Sequence, residues 1–330
     1  MNEQDLEYKR RSADLPKIKT NVTSHCWNPW QMVNIDFKGR VFVCWCDGHL
    51  PWPVGHVQDF SSFYDIFNSS QAQTIQQSIN DKTYKYCATH TCSMVTKQLP
   101  WVSLYLGIDN SCNLSCPSCR TQLIYDKSDE WLAERYRWID TIVTWAESTD
   151  YPVKVVIGSD GDPFASRVYW RALTYLQSCA NVRYEFMTNG LLMRNHLQAL
   201  NLDVLNRIDK ITVSIDSPQA DTYEQLRRGG KFTQLLTNLE FLRATDIVAH
   251  GHMIVQKANL DQVFEFIEFC EQYRLEPEFT VLEDWGTWHD YISQCVHLPQ
   301  SPDYAKFVAT FTDPIISQRD ISLARIQQWL

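Results

Sequence analysis

Between Trp101 and Leu282 short apolar runs alternate with longer stretches whose apolar residues recur at helical spacing. The runs predict strands at Val102–Ile108, Val153–Ile157, Tyr184–Met187, Lys210–Ile215, Val248–Val255 and Glu278–Leu282. The stretches between them predict helices near 129–147, 165–178, 191–200, 231–244 and 260–273. Six strand–helix units in series imply an α/β fold with a parallel sheet and right-handed crossovers. Six units rather than eight point to an open, partial (β/α)6 TIM-like barrel. Such sheets bind ligands beyond the C-terminal ends of their strands.

The pattern before Trp101 is different. Residues 1–25 read as a polar arm, and residues 26–99 are rich in Cys, Trp and Pro with short strand signals. Val33-Asn34-Ile35-Asp36, then Phe37-Lys38-Gly39, then Arg40-Val41-Phe42-Val43 predicts a hairpin with glycine at the turn. Phe60 to Ile79 has helical apolar spacing. The expected division is therefore an arm (1–25), a small Cys-rich α+β domain (26–99), the α/β core (100–300) and a C-terminal extension (301–330). A length of 330 residues fits about two domains.

Composition narrows the class. Hydrophobic residues are 44% and charged residues 21%, ordinary for a globular chain. No apolar run is long enough to cross a membrane, and the N-terminus lacks an export signal, so a cytoplasmic protein with no membrane partner is expected. A net charge of −9 argues against nucleic acid as partner. The 11 cysteines are clustered, and in a reducing compartment clustered thiols read as metal sites. Cys179, Cys270 and Cys295 sit in apolar surroundings and read as structural.

The densest cluster is Cys112, Cys116 and Cys119 in SCNLSCPSCR, just past the first core strand. Three thiolates can hold three irons of a [4Fe–4S] cluster and leave the fourth iron open for a ligand. Cys116-Pro-Ser-Cys119 alone would fit half a zinc ribbon, but the second pair is missing, since the next cysteine is Cys179. The C-x3-C-x2-C spacing resembles the signature of the radical SAM enzymes. The resemblance implies a cluster whose open iron binds S-adenosylmethionine. It also implies a one-electron reductant of the flavodoxin or ferredoxin type, and hydrogen abstraction from a substrate by a 5′-deoxyadenosyl radical. Ser118 departs from the family, which often has an aromatic residue there.

Other segments line up with the same family in order. After Gly158-Ser159, Asp160-Gly161-Asp162-Pro163 stands where the family carries Gly-Gly-Glu-Pro, departing at two of four positions. The resemblance makes Gly158, Asp160, Gly161, Asp162 and Pro163 contacts of the SAM amine. Asn189 after the third strand, Ser214 and Asp216 after the fourth, Arg227 and Gln256 are further cofactor candidates. Asp216 could equally cap a helix, and Arg227 could equally be a solvated helix end. Asp284 and His289, after the sixth strand, are candidate acid–base groups.

A second set of cysteines precedes the core. Cys26, then Gly39, then Cys44 resembles the opening of the SPASM and Twitch auxiliary-cluster domains, with Cys87 and Cys92 completing four ligands and Cys46 as the alternative to Cys44. The resemblance implies a second, fully ligated [4Fe–4S] cluster; zinc on the same residues is the alternative. Relatives with such clusters mostly modify peptides, so the expected reaction is oxidation or cross-linking of a peptide. Oxidation or epimerisation of a sugar, aminocyclitol or other small molecule is the second reading, and a non-catalytic Fe–S or zinc protein the third.

Overall fold

The computed structural model describes residues 25–44, 52–87, 95–125, 127–284, 286–288, 290–319, 321, 323 and 326–330. Cys46, Cys92 and His289, and residues 1–24 of the arm, lie outside the described residues. The chain divides into two compact units. The first is Met1–Asn110, Lys127–Gly161 and Arg167–Tyr184; the second is Ser111–Asp126, Asp162–Ser166 and Glu185–Leu330.

In the first unit the predicted hairpin forms. Strands β1 (Met32–Ile35) and β2 (Arg40–Phe42) pair antiparallel with Ile35 opposite Val41. Gly39 takes φ +74° at the turn, where a side chain would strike His56 and Trp138. Asp36 ties the turn down: its carboxylate accepts from the Lys38 and Arg40 amides at 2.9 Å. A two-residue strand β3 (Gly55–His56) extends β2, while β1 pairs parallel with β4 (Val102–Leu106), and β4 with β5 (Val153–Ile157). The strand order is β3-β2-β1-β4-β5, so the Cys-rich segment is hydrogen-bonded directly to the first core strand.

The helix Asp129–Glu147 covers this segment. Ser128 caps it by accepting from the Trp131 amide, and Asp129 and Glu130 sit in its first turn, where negative charge suits the helix dipole. Its Trp138 meets His56, and its Trp145 donates to Phe60 O at 3.0 Å. The apolar run Phe60–Ile79 is not one helix: it forms Phe63–Phe67 and Ser70–Asn80. Ser69 breaks it, because its hydroxyl accepts from the Ala72 amide and starts a new helix there.

Strand β6 (Val182–Thr188) begins in the first unit and ends in the second. In the second unit β7 (Ile208–Ser214), β8 (Ala249–Val255) and β9 (Glu276–Val281) run parallel in that order. One face is apolar, with Ile211, Val213, Met253, Val255 and Phe279 buried. Phe279 packs edge-on against Phe266 of the helix Val263–Gln272. Burying such a ring contributes about 1.5–3 kcal/mol. The other face is polar, and the register aligns it in rows: Thr212, His250 and Glu276 in one, Ser214, His252 and Glu278 in the next. The predicted parallel α/β core is thus borne out, with strand ends within about two residues of those read from the sequence. Helices Ala220–Leu226 and Tyr304–Phe311 are additional. Among the described residues no helix is long and apolar enough to cross a membrane.

Candidate metal and cofactor site

The loop carrying Cys112, Cys116 and Cys119 follows β4 and is shaped by backbone bonds. Cys112 N donates to Ile124 O at 2.8 Å, and Cys119 N and Arg120 N both donate to Cys116 O at 3.0 Å. Ser115 N donates to Arg228 O at 3.1 Å. Cys112 and Cys116 are buried and Cys119 is exposed; all three carry free thiols.

Each sulfur meets a side-chain N–H. Asn189 Nδ2 lies 3.8 Å from Cys112 Sγ, and the Leu114 amide 3.4 Å. Arg227 Nη1 lies 4.0 Å from Cys116 Sγ. Arg120 Nε and Nη2 lie 3.4 and 3.3 Å from Cys119 Sγ. Burial pushes the Cys112 thiol up to about 11 despite the nearby Arg120 charge. Burial also pushes Cys116 up, against the pull of Arg227. A bound metal would reverse this, since only thiolates ligate. Among the described residues no three His, Cys, Asp or Glu side chains converge closely enough to hold one ion.

Asp162 locks the surrounding loops. Its amide donates to Ser111 O at 2.9 Å, and its carboxylate accepts from Phe164 N at 3.0 Å and from Thr188 Oγ and Asn189 N at 2.8 Å. Burial raises its pKa, against the pull of these bonds. The side chain is therefore spent on holding Asn189, whose own amide reaches Cys112 and Asn113. Pro163 is buried in the same turn. Gly158, Asp160 and Gly161 belong to the first unit, where Gly158 takes φ +108°.

Past β7 and β8 lies a cluster of buried polar groups. Ser214, half-buried, ends β7. Asp216 is fully buried at φ +66°; its Oδ1 accepts from Ile254 N at 2.8 Å, and its backbone oxygen accepts from Asn259 Nδ2. Asp216 Oδ2 stands 2.9 Å from Arg227 Nε, yet neither atom has an aligned hydrogen bond. The pair attracts as charges and keeps bonding capacity. Burial opposes the Arg227 charge, but Asp216 and then Cys116 outweigh it and hold the guanidinium above its ordinary value. Arg227 is thus neither a solvated helix end nor is Asp216 a helix cap.

Four polar atoms here are buried without a hydrogen-bond partner besides Asp216 Oδ2: Arg227 Nε and Nη2, Tyr223 OH and Gln256 Oε1. Leaving such groups unsatisfied costs about 1–3 kcal/mol each, so the set fits a polar ligand carrying both charges and hydroxyls, as SAM does. Asp284 is exposed and accepts from Gly286 N in its own turn. Arg120, Tyr223 and Thr188 were not singled out by sequence. Arg120 alone had a signal, directly following the third cysteine.

Of the second cysteine set, the described members Cys26, Cys44 and Cys87 lie in the first unit. Cys26 packs with Ile79 and Tyr84, and Cys87 lies against the same cluster. The Tyr84 hydroxyl is raised by burial and then by the charges of Cys26 and Cys87. Asn28 Nδ2 reaches Cys44 Sγ at 4.0 Å.

Two family descriptions match this chain: the radical SAM superfamily over residues 108–270, and an iron–sulfur cluster-binding domain, SPASM, over residues 26–93. The chain is 23% identical over 197 residues to a GTP 3′,8-cyclase of Staphylococcus haemolyticus, covering 57% of this chain and 56% of that one. A probable GTP 3′,8-cyclase of Methanothermobacter marburgensis is 24% identical over 176 residues, with 52% and 55% covered. An AdoMet-dependent heme synthase of Oleidesulfovibrio alaskensis is 24% identical over 169 residues, with 50% and 41% covered. The chain spans about half the length of the curated relatives it matches. Among solved structures, Streptococcus suis SuiB bound to S-adenosylmethionine has a TM-score of 0.45 at 12% identity, covering 78% of this chain and 54% of that one. Taken together, the two family matches span most of the residues from Cys26 to Cys270, and the chain belongs to the radical SAM superfamily, with a SPASM iron–sulfur region.

Proposed function

We propose that Cys112, Cys116 and Cys119 hold the SAM-coordinating [4Fe–4S] cluster, and that Cys26, Cys44, Cys87 and Cys92 hold the auxiliary one, with Cys46 as the alternative to Cys44. Residues 26–99 then act as the auxiliary-cluster module, residues 100–300 as the catalytic core, and residues 1–25 and 301–330 as flanking segments. When bound there, the cluster and SAM would supply one-electron radical chemistry able to take hydrogen from a substrate. Held by Cys26, Cys44, Cys87 and Cys92, an auxiliary cluster would offer an acceptor for an electron in a net oxidation. A flavodoxin- or ferredoxin-type protein is the reductant.

The observation that carries the proposal is the set of three thiols in one loop, each met by a side-chain N–H donor. The chain's own part is to bind and orient. Arg227, Asp216, Ser214 and Gln256 would hold the polar end of SAM, since Arg227 Nε and Nη2, Asp216 Oδ2 and Gln256 Oε1 are buried with no hydrogen-bond partner, while Asp162 fixes Asn189 beside Cys112. Gly158, Asp160, Gly161 and Pro163 remain candidates for the SAM amine, and Asp284 and His289 for proton transfer.

A peptide is the proposed substrate, supported by the presence of a SPASM region. A small polar molecule is the second reading. The polar rows Thr212–His250–Glu276 and Ser214–His252–Glu278, in which His250 meets Glu276 and Glu278 and His252 meets Thr280, favour it, because a helix-packed sheet face would be apolar. The test is iron, sulfide and zinc per chain after anaerobic reconstitution, with 5′-deoxyadenosine formed from SAM. We expect about eight irons, falling to about four with loss of 5′-deoxyadenosine in a Cys112/Cys116/Cys119→Ala variant. Zinc without iron would overturn the proposal.

A further inference from the structure

We infer that Arg120 sets the reduction potential of the SAM cluster by pressing a cationic fork against the Cys119 sulfur, an inference that rests on the reading just given. Cys119 is the exposed cysteine of the three, so water could solvate its thiolate. Its neighbour nevertheless turns inward: Arg120 is only 9% exposed, with Nε and Nη2 both within 3.4 Å of Cys119 Sγ. Withdrawing a guanidinium from water is costly unless negative charge repays it. A Cys119 thiolate 3.3 Å from Nη2 supplies such charge.

Arg120 differs from the other two donors. Asn189 is neutral. Arg227 reaches Cys116 with one nitrogen at 4.0 Å. Among the described residues, Arg120 brings two N–H groups to one ligand sulfur. Reduction takes one electron from a low-potential donor such as dithionite and adds one negative charge to the cluster. No bond is made or broken and no proton moves. A cation and two N–H groups at a ligand sulfur stabilise that added charge and raise the potential. Arg120 is thus a positioning and tuning residue, not a catalytic one.

The experiment is an EPR-monitored potentiometric measurement on the full chain, reconstituted anaerobically without SAM, for wild type, Arg120→Gln and Arg120→Lys. The expected result is a SAM cluster at least tenfold harder to reduce in Arg120→Gln, a fall of about 59 mV for one electron. Arg120→Lys should lie between, since it keeps the charge and loses the fork, and the auxiliary cluster should stay where it is. An Arg120→Gln cluster with wild-type iron and wild-type potential overturns the inference. Should Arg120→Gln fail to keep its iron, Arg120→Lys decides: a fall supports the inference and wild-type potential overturns it. A wild-type chain that takes up no iron would instead overturn the radical SAM assignment of the loop.

Discussion

Replacing Asp216 by Asn tests whether a buried ion pair organises the cofactor side of the site. Asp216 is wholly buried, and the side chain of its partner Arg227 is 10% exposed. Asn tolerates the left-handed φ of +66°, and its amide oxygen can still accept from Ile254 N. The substitution therefore removes charge and little else. Removing one partner of a buried pair costs about 3–5 kcal/mol, because the other charge is left uncompensated. Cys116, also facing Arg227, softens this, so about 3 kcal/mol is expected.

The double variant Asp216→Asn/Arg227→Met removes both charges, and an uncharged replacement of a buried pair is often close to neutral. A coupling energy of about 2 kcal/mol should therefore appear in the cycle. The assay is urea unfolding of the four proteins without cofactors, with hydrogen exchange at the Ile254 amide as a local probe. The reasoning is refuted if Asp216→Asn alone lies within about 0.5 kcal/mol of wild type. It is equally refuted if the double variant loses the sum of the single losses.

Two further outcomes follow from other positions. His297 is buried against Trp329 and Phe307, and burial pushes its pKa down to about 4. The neutral form is the folded one, so its contribution is whole above the unfolded value near 6.5 and is lost as pH falls toward 4. Between pH 8 and 5.5 the loss is about 1.4 kcal/mol; urea midpoints should show it in wild type and not in His297→Gln, and equal pH slopes would argue against it. Gly190 takes φ +80°, and a Cβ there would stand 2.9 Å from Val213 Cγ1. Gly190→Ala should cost about 1–3 kcal/mol and, by moving Asn189 off Cys112, lower iron retention; wild-type stability and iron would contradict this.

The fold was legible where one element could be recognised from its own residues. The six strands show as apolar runs, and the helix Asp129–Glu147 announces itself through Ser128, its acidic first turn and its apolar stripe. The triplet Cys112, Cys116 and Cys119 was legible for the same reason, its members lying within one loop. The run Phe60–Ile79 misled because spacing alone does not show which serine will stop propagating a helix and start capping one. The polar surroundings of the thiols were hidden for a different reason: Arg227 lies 111 residues from Cys116 and Asn189 lies 77 from Cys112. Only the folded β6, β7 and β8 ends bring these donors to the loop. Asp162 shows how such distance changes a role: from sequence it stood in a backbone turn facing the cofactor, while its carboxylate in fact spans from its own turn to Thr188 and Asn189. The sulfurs could be found from spacing, but the polar groups around them had to come from the fold, with Arg120 the exception because its partner Cys119 is the residue just before it.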